Sequence, residues 1–192
     1  MLDIPIYQAE ITDENEGIFT ISLVDYPAVQ RNFVCFKEEK PIQKFAIQDE
    51  EQRIISGVVM IADTPIYRRD ADGTEYYLVF SADTIRLMAE KMLFDNTQNQ
   101  ISIMHNGQLV DSVYLVELFI KDSSKGINPS YLDAPEGSLI ATYKVRNDEV
   151  WKAIKSGELK GFSLEGIFST EESEEELLKD IVSQLKKLRR IK

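Results

Sequence analysis

The chain has 192 residues, 43% of them hydrophobic, and a formal net charge of −11 at pH 7. This length and apolar content suffice to bury one core, so we expect one main domain. Phosphate contacts need clustered Lys and Arg, which are absent until the last residues, so the charge argues against a nucleic-acid binder. No window approaches the roughly 18 apolar residues of a membrane span, and the start lacks the features of a signal peptide. We expect a soluble intracellular protein.

Short β-rich runs make up most of the first half of the chain. Residues 5–12 and 17–25 are separated by the turn-forming residues 13–17, which predicts a hairpin. Further strands are expected at 31–37, 52–62 and 74–80. The only cysteine, Cys35, cannot form an internal disulfide, and its apolar neighbours favour a buried structural thiol over a nucleophile. A reducing compartment follows from this cysteine usage.

The middle of the chain contains a helix followed by two strands. Ser81 is a suitable N-cap for a helix over 82–94, whose apolar residues recur on one side. Strands at 101–105 and 112–120 are expected to join in a hairpin around Asn106-Gly107, a dipeptide favoured in tight turns. His105 then lies at the end of a strand.

A long polar loop separates these strands from the next elements. Residues 122–138 are rich in Ser, Gly, Asn, Pro and Asp, and a loop of this length is usually functional or mobile. It is a candidate substrate-facing loop or cleavage site. A strand at 139–145, a helix at 148–156 and a strand at 159–169 are expected to follow; Asn147 caps this helix and Gly157 ends it.

The character of the chain changes at residue 171. Apolar residues recur at helical spacing through 171–192, with acids in the first turns and Lys and Arg in the last. The pattern predicts an amphipathic C-terminal helix that either packs on its own domain or binds a partner. We therefore divide the chain into a domain over 1–170 and a helix over 171–192.

Two residues are candidates for chemistry. His105 is the only histidine, so any imidazole base must be this residue, although a hydrogen-bonded structural histidine is the plainer interpretation. Ser163 lies in Gly161-Phe-Ser-Leu-Glu-Gly166, where the glycines allow close backbone approach and free amides for an oxyanion. Most serines in such strands are structural, and the spacing is not that of a Gly-x-Ser-x-Gly elbow.

No other cluster of residues points to a site. The acidic run at 171–176 has no accompanying histidine or cysteine, so a solvated helix start is the better interpretation and no metal is assigned. The glycines form neither a phosphate loop nor a dinucleotide fingerprint, so no cofactor is expected.

Three segments, in order along the chain, together carry a family resemblance. They are Ile55-Ser-Gly-Val-Val-Met-Ile, then Ile103-Met-His105, then Trp151 to Glu158 with the Ser163 segment. They resemble the opening strand, the catalytic histidine strand, and the helix and serine strand of the prohead proteases of tailed bacteriophages, whose fold is similar to that of the herpesvirus capsid assembly protease. The likeness spans roughly 52–170. It implies an α+β fold with a β-rich, barrel-like sheet flanked by helices.

A further segment resembles the family out of order. Ile21-Ser-Leu-Val-Asp-Tyr-Pro-Ala28 is similar to a strand that follows the catalytic serine in many members, but here it precedes the other motifs. The resemblance implies a circular permutation, with strands from 1–37 placed beside the 52–170 core. The strand at 17–25 is then expected to pair with the Ser163 strand.

The family resemblance implies His105 and Ser163 as catalytic residues and leaves the third member open. In the family the catalytic acid is often just before the permuted strand motif. The corresponding position here is Thr20, which carries no charge with which to orient His105. Either the enzyme works as a dyad, or Glu117, Asp111 or Asp25 orients His105, or catalysis is weak. Glu117 matches a family position but lies several residues from His105 in a simple hairpin.

The resemblance implies a serine endopeptidase that cleaves scaffold and capsid-protein segments and itself inside the immature capsid, in the host cytoplasm. Its implied partners are phage scaffold and major capsid proteins and further copies of itself, with self-cleavage in 122–138 or before the C-terminal helix. A catalytically inactive assembly or scaffold protein of the same fold is the alternative, and an unrelated β-rich domain is a third possibility.

Overall fold

The structure is a computed structural model that describes residues 4–26, 46–49, 52–69 and 72–172, with the backbone alone for 46–49. These ranges contain helices and strands in a mixed α+β arrangement, which confirms the predicted class. A short 3-10 turn spans Ser123–Lys125. The other elements, in chain order, are β1 (Ile6–Glu10), β2 (Gly17–Val24), β3 (Ala46–Asp49), β4 (Ile54–Met60), β5 (Ile66–Arg69), β6 (Glu75–Val79), α1 (Ala82–Phe94), β7 (Ile101–Ile103), β8 (Val113–Ile120), β9 (Leu139–Val145), α2 (Asp148–Ser156), β10 (Gly161–Ile167) and β11 (Ser169–Glu172).

The described strands form three sheets, with the orders β11-β1-β6-β5, β10-β2-β7 and β3-β4-β9-β8. Consecutive strands often enter different sheets, so in these ranges the sheets do not join into the closed barrel that the sequence led us to expect. The likeness to the herpesvirus protease stays a prediction. The predicted pairing of the strand at 17–25 with the Ser163 strand is confirmed, because β2 and β10 are antiparallel neighbours. The circular permutation itself also stays a prediction.

Both described helices have the bounds that their caps predict. The Ser81 hydroxyl accepts a hydrogen bond from the Thr84 backbone N–H at 3.0 Å and so begins α1. The Asn147 side chain accepts from two backbone N–H groups at the start of α2, and Gly157, with a φ of 76°, ends that helix in the left-handed conformation. Local capping chemistry therefore determines where these helices begin and end.

One hydrophobic core lies between the helices and the sheets. It includes residues from α1, β2, β4, β9 and β10, and their large side chains are almost completely removed from water. Each such side chain contributes about 1.5–3 kcal/mol of burial free energy. The largest buried side chains are Tyr143, Phe80, Phe162, Ile21, Leu23, Ile55, Met60, Leu78, Ile85, Met88, Met92 and Ile101.

The hairpin predicted from residues 5–12 and 17–25 is wrong. β1 pairs with β11 and β6, whereas β2 pairs with β10 and β7. The buried Glu16 carboxylate explains the change of sheet: it accepts from the backbone N–H of Thr12 at 2.6 Å and from the Ser169 hydroxyl at 2.5 Å. These hydrogen bonds stabilise a turn that carries the chain from one sheet to the other.

The hairpin predicted from residues 101–105 and 112–120 is also wrong. β7 pairs with β2, and β8 pairs with β9. The predicted strand at 159–169 is divided in two, because β10 and β11 belong to different sheets. In both cases a remote strand is a better partner than the neighbour along the chain, which periodicity within one segment does not reveal.

Some sequence predictions lie outside the described residues. The strand at 31–37 with Cys35 is one of them, and so are residues 173–192 of the predicted C-terminal helix, whereas residues 171 and 172 end β11. The loop 122–138 is described and packs against the domain. Its Ser123 hydroxyl donates to Glu136 at 2.6 Å, and Lys121 Nζ donates to the backbone oxygen of Ala134 at 2.6 Å. Self-cleavage in this loop stays a prediction.

Substitution of Gly166 tests the close backbone contact between β10 and β2. A Cβ added there would lie 2.3 Å from the backbone oxygen of Gly17, next to an irregularity between Glu165 and Gly166. We expect Gly166→Ala to lower the free energy of unfolding by about 2–3 kcal/mol or more, because backbone must shift. Gly126→Ala is the control: it has a φ of 76° but open space around it, so only about 1–2 kcal/mol is expected. Urea denaturation measures both, and equal losses would contradict the steric argument.

Candidate active site

The sheet β10-β2-β7 has one apolar face and one polar face. Along β2, Ile21 and Leu23 are fully buried in the core, so the alternating residues Thr20 and Ser22 point to the other side. The register pairs Ser163 with Ser22, and Ser22 with Ser102. Because directly paired residues share a face, three serines form a row across the sheet.

A tight turn after β7 holds His105. The backbone N–H of Asn106 donates to the oxygen of Ile103 at 3.1 Å, and the two residues between them, Met104 and His105, have φ values of 52° and 53°. Positive φ at both central positions is the pattern of a type I′ turn, which normally selects Asn or Gly. A methionine and a histidine there are strained, and such strain concentrates at functional sites.

Glu165 connects His105 to the serine row. Its Oε1 lies 3.0 Å from His105 Nδ1 and accepts from Ser22 Oγ at 2.7 Å and Ser102 Oγ at 3.0 Å. The hydroxyls of Ser22 and Ser102 also contact each other. Two hydroxyls supply only two protons for these three contacts, so Ser22 donates to Glu165 while Ser102 donates either to Ser22 or to Glu165.

These contacts keep Glu165 ionised. The hydrogen bond from Ser22 lowers the pKa of Glu165 most, partial burial opposes it, and His105 and Ser102 lower it further. A carboxylate at Nδ1 favours the imidazole tautomer that carries its proton there. Nε2 is then the basic nitrogen of His105, as the general base of a serine hydrolase requires.

Of the three serines, Ser163 is the one that solvent reaches. Ser22 and Ser102 are 0% exposed, whereas Ser163 is 7% exposed. Ser163 forms no side-chain hydrogen bond with the described residues. A fully buried hydroxyl cannot reach a peptide bond, so Ser163 is the candidate nucleophile of the row.

Ser163 also borders a small cavity whose lining includes an arginine. The cavity has a volume of about 10 Å³, and Arg68 and Phe80 line it together with Ser163. Burial lowers the pKa of Arg68, and Arg68 has no carboxylate partner among the described residues. Arg68 is therefore a cationic residue in the lining of the cavity that Ser163 borders. Among the described strands β10 is at the edge of its sheet.

The other carboxylates named from the sequence lie away from this constellation. Glu117 is on β8, opposite Thr142, in a different sheet. Asp25 and Asp111 line a groove beside the His105 turn, and the described contacts of His105 are to neither of them. Thr20 is directly opposite Glu165 across β2 and β10. The family's acid position at Thr20 is therefore next to a carboxylate that the neighbouring strand supplies.

Glu165 was missed in the sequence, although a signal for it was present. It lies two residues after Ser163, and residues i and i+2 of a strand point to the same face. Alternation along the predicted strand could therefore have placed a carboxylate beside the serine. Among the described residues, no three His, Cys, Asp or Glu side chains converge as a metal site would require, and neither helix is long and apolar enough to cross a membrane.

Comparisons with known proteins assign the chain to one protein family. The sequence profile of the family described as "Putative phage serine protease XkdF" matches residues 41–172, a range that includes His105, Ser163 and Glu165. The chain is 30% identical over 168 residues to the uncharacterized protein YqbD of Bacillus subtilis (strain 168). This alignment covers 84% of the chain and 48% of YqbD, so the chain spans about half the length of that relative. No solved structure matches the chain.

Proposed function

Because the chain belongs to the family described as "Putative phage serine protease XkdF", we propose that it is a serine endopeptidase with Ser163 as nucleophile and His105 as general base. One observation carries this proposal: His105 Nδ1 lies 3.0 Å from Glu165 Oε1, on the sheet face that also bears Ser163. A carboxylate on one imidazole nitrogen prepares the other to take a proton from a serine.

The first half of the reaction forms an acyl-enzyme. Ser163 Oγ attacks the carbonyl carbon of the scissile peptide bond while His105 takes the hydroxyl proton. The carbon–nitrogen bond then breaks, and His105 gives this proton to the leaving amine. Backbone amides near the glycines that flank Ser163 hold the oxyanion, and Arg68 adds positive charge to the same cavity.

The second half of the reaction releases the enzyme. His105 removes a proton from water, the resulting hydroxide attacks the acyl carbon, and the proton returns to Ser163 Oγ as the ester bond breaks. Glu165 stabilises the imidazolium that forms in each half. It acts through His105 and is therefore a positioning residue.

The biological role that we propose is the maturation of a phage prohead. The substrates are segments of scaffold and major capsid proteins and of the enzyme itself, and the reaction takes place inside the immature capsid in the host cytoplasm. The enzyme works there as a homo-oligomer. The alternative is an inactive assembly protein of the same fold, which a site without an acid would favour. Glu165, directly opposite Thr20, supplies the carboxylate that threonine lacks.

Co-expression tests this function directly. We expect the wild-type chain, produced with its phage's scaffold and major capsid proteins, to shorten at least one of them at defined peptide bonds, because a serine endopeptidase leaves discrete termini. Mass spectrometry of the products identifies these termini. If both proteins stay intact beside the folded wild-type chain, the protease assignment is wrong and the inactive assembly protein is favoured.

A further inference from the structure

A groove begins at the residue before His105. It has a volume of about 580 Å³ and lies between the His105 turn and α2. Met104 of the turn, Ala153 of α2 and Leu159, just before β10, are among its lining residues. Leu159 precedes Ser163 by four residues, which corresponds to about 13 Å along an extended strand. The groove is therefore within reach of a peptide whose scissile bond is at Ser163.

The rim of this groove carries charge of one sign. Asp25, Asp111, Glu149 and Glu158 line it, and none of the lining residues is Lys, Arg or His. All four carboxylates are exposed, and none forms an ion pair with a described residue. A concave surface lined by one sign of charge concentrates the opposite charge and speeds its encounter.

The groove also has apolar surface that is exposed to solvent. Met104 is 48% exposed and Leu109 is 59% exposed, and both line it. The partly buried Val110 and the buried Val150 add aliphatic surface. Exposed aliphatic side chains inside a polar rim are typical of an interaction site.

We propose that this groove binds the substrate of the protease through a peptide segment in which Lys or Arg alternates with aliphatic residues. The inference rests on the proposed function, because the groove matters for cleavage only if Ser163 is the nucleophile. In an extended segment the aliphatic side chains point into the groove and the cationic ones to the carboxylate rim. The segment lies roughly three to five residues from the scissile bond. Cleavage is therefore selective for sites near basic, aliphatic sequence.

Peptide binding to the Ser163→Ala protein tests the proposal without turnover. The probe is a fluorescein-labelled hexapeptide that alternates Lys with Leu, and its counterpart alternates Glu with Leu. We expect the Lys peptide alone to raise the fluorescence anisotropy. Neutralising the rim with Asp111→Asn, Glu149→Gln and Glu158→Gln should weaken its binding about tenfold, since each exposed ion pair contributes modestly. The salt dependence should fall as well.

A triple variant of equal charge change is the control. Glu117→Gln, Glu171→Gln and Glu172→Gln remove three exposed carboxylates that do not line the groove and should leave binding unchanged. Leu109→Lys, at an exposed position, is a second variant that should weaken binding even if the rim variant does not fold. Equal binding of both peptides, or equal loss in rim and control variants, would overturn the proposal. A wild-type chain that cleaves nothing refutes the protease function but leaves this binding result in place.

Discussion

Ser163→Ala should abolish cleavage of scaffold, capsid and self-derived sites while the fold remains intact. The substitution removes the attacking oxygen, and in serine proteases loss of the nucleophile lowers kcat by about 10⁴-fold or more. Removal of one hydroxyl leaves little space behind, so the thermal midpoint should hardly change. Mass spectrometry of co-expressed substrates and circular dichroism of the purified variant measure the two effects. Unchanged cleavage by Ser163→Ala would sink the assignment of the nucleophile.

His105→Asn is the matched variant for the base. Asparagine tolerates the left-handed conformation that His105 adopts, with its φ of 53°, so the turn is preserved while the imidazole is lost. His105→Ala would add backbone strain and confuse the result. Because nucleophile and base act as a unit, the double variant should be about as inactive as either single one. If the fold-loss of activity in the double variant equals the product of the two single losses, the two residues act separately.

Glu165→Gln should lower kcat/KM by about 10²- to 10⁴-fold with a smaller change in KM, since a neutral amide no longer stabilises the imidazolium. Gln keeps an oxygen that accepts from Ser22, so the sheet should stay folded. Glu165→Asp is the conservative variant and should recover part of the activity. Ser22→Ala is the control at a neighbouring residue. It removes the hydrogen bond that lowers the pKa of Glu165 most, but it leaves the Glu165 carboxylate in place. An active Glu165→Gln enzyme would exclude the positioning role.

Glu165→Gln should also change how the stability of the fold depends on pH. The pKa of Glu165 is lower in the folded protein than its ordinary value of 4.5, so ionised Glu165 stabilises the fold above that value. This contribution is lost as the pH falls through the lowered folded-state pKa. The stability difference between wild type and Glu165→Gln should therefore be full at about pH 7 and smaller at about pH 3.5. Urea titrations at both values measure it, and a difference that grows in acid would contradict the hydrogen-bond network.

The sequence alone determined the features that depend on neighbours along the chain. The bounds of α1 and α2 follow from Ser81, Asn147 and Gly157, because capping involves residues a few positions apart. The candidates His105 and Ser163 could also be identified, since one histidine and a short glycine-flanked motif can be read from the sequence. The pairing of the strand at 17–25 with the Ser163 strand followed from the family motif order.

Only the tertiary structure decided which strands meet and which carboxylate joins the histidine. Both predicted hairpins failed because strand pairing is chosen among all the strands of the chain, and the winning partners are remote. The site depends on the same long-range pairing. Ser22 and Glu165 are 143 positions apart, and Ser102 and Glu165 are 63 apart. Hydrogen bonds act over about 3 Å of space whatever the separation in sequence, so Glu165 was identified only after β2, β7 and β10 were aligned.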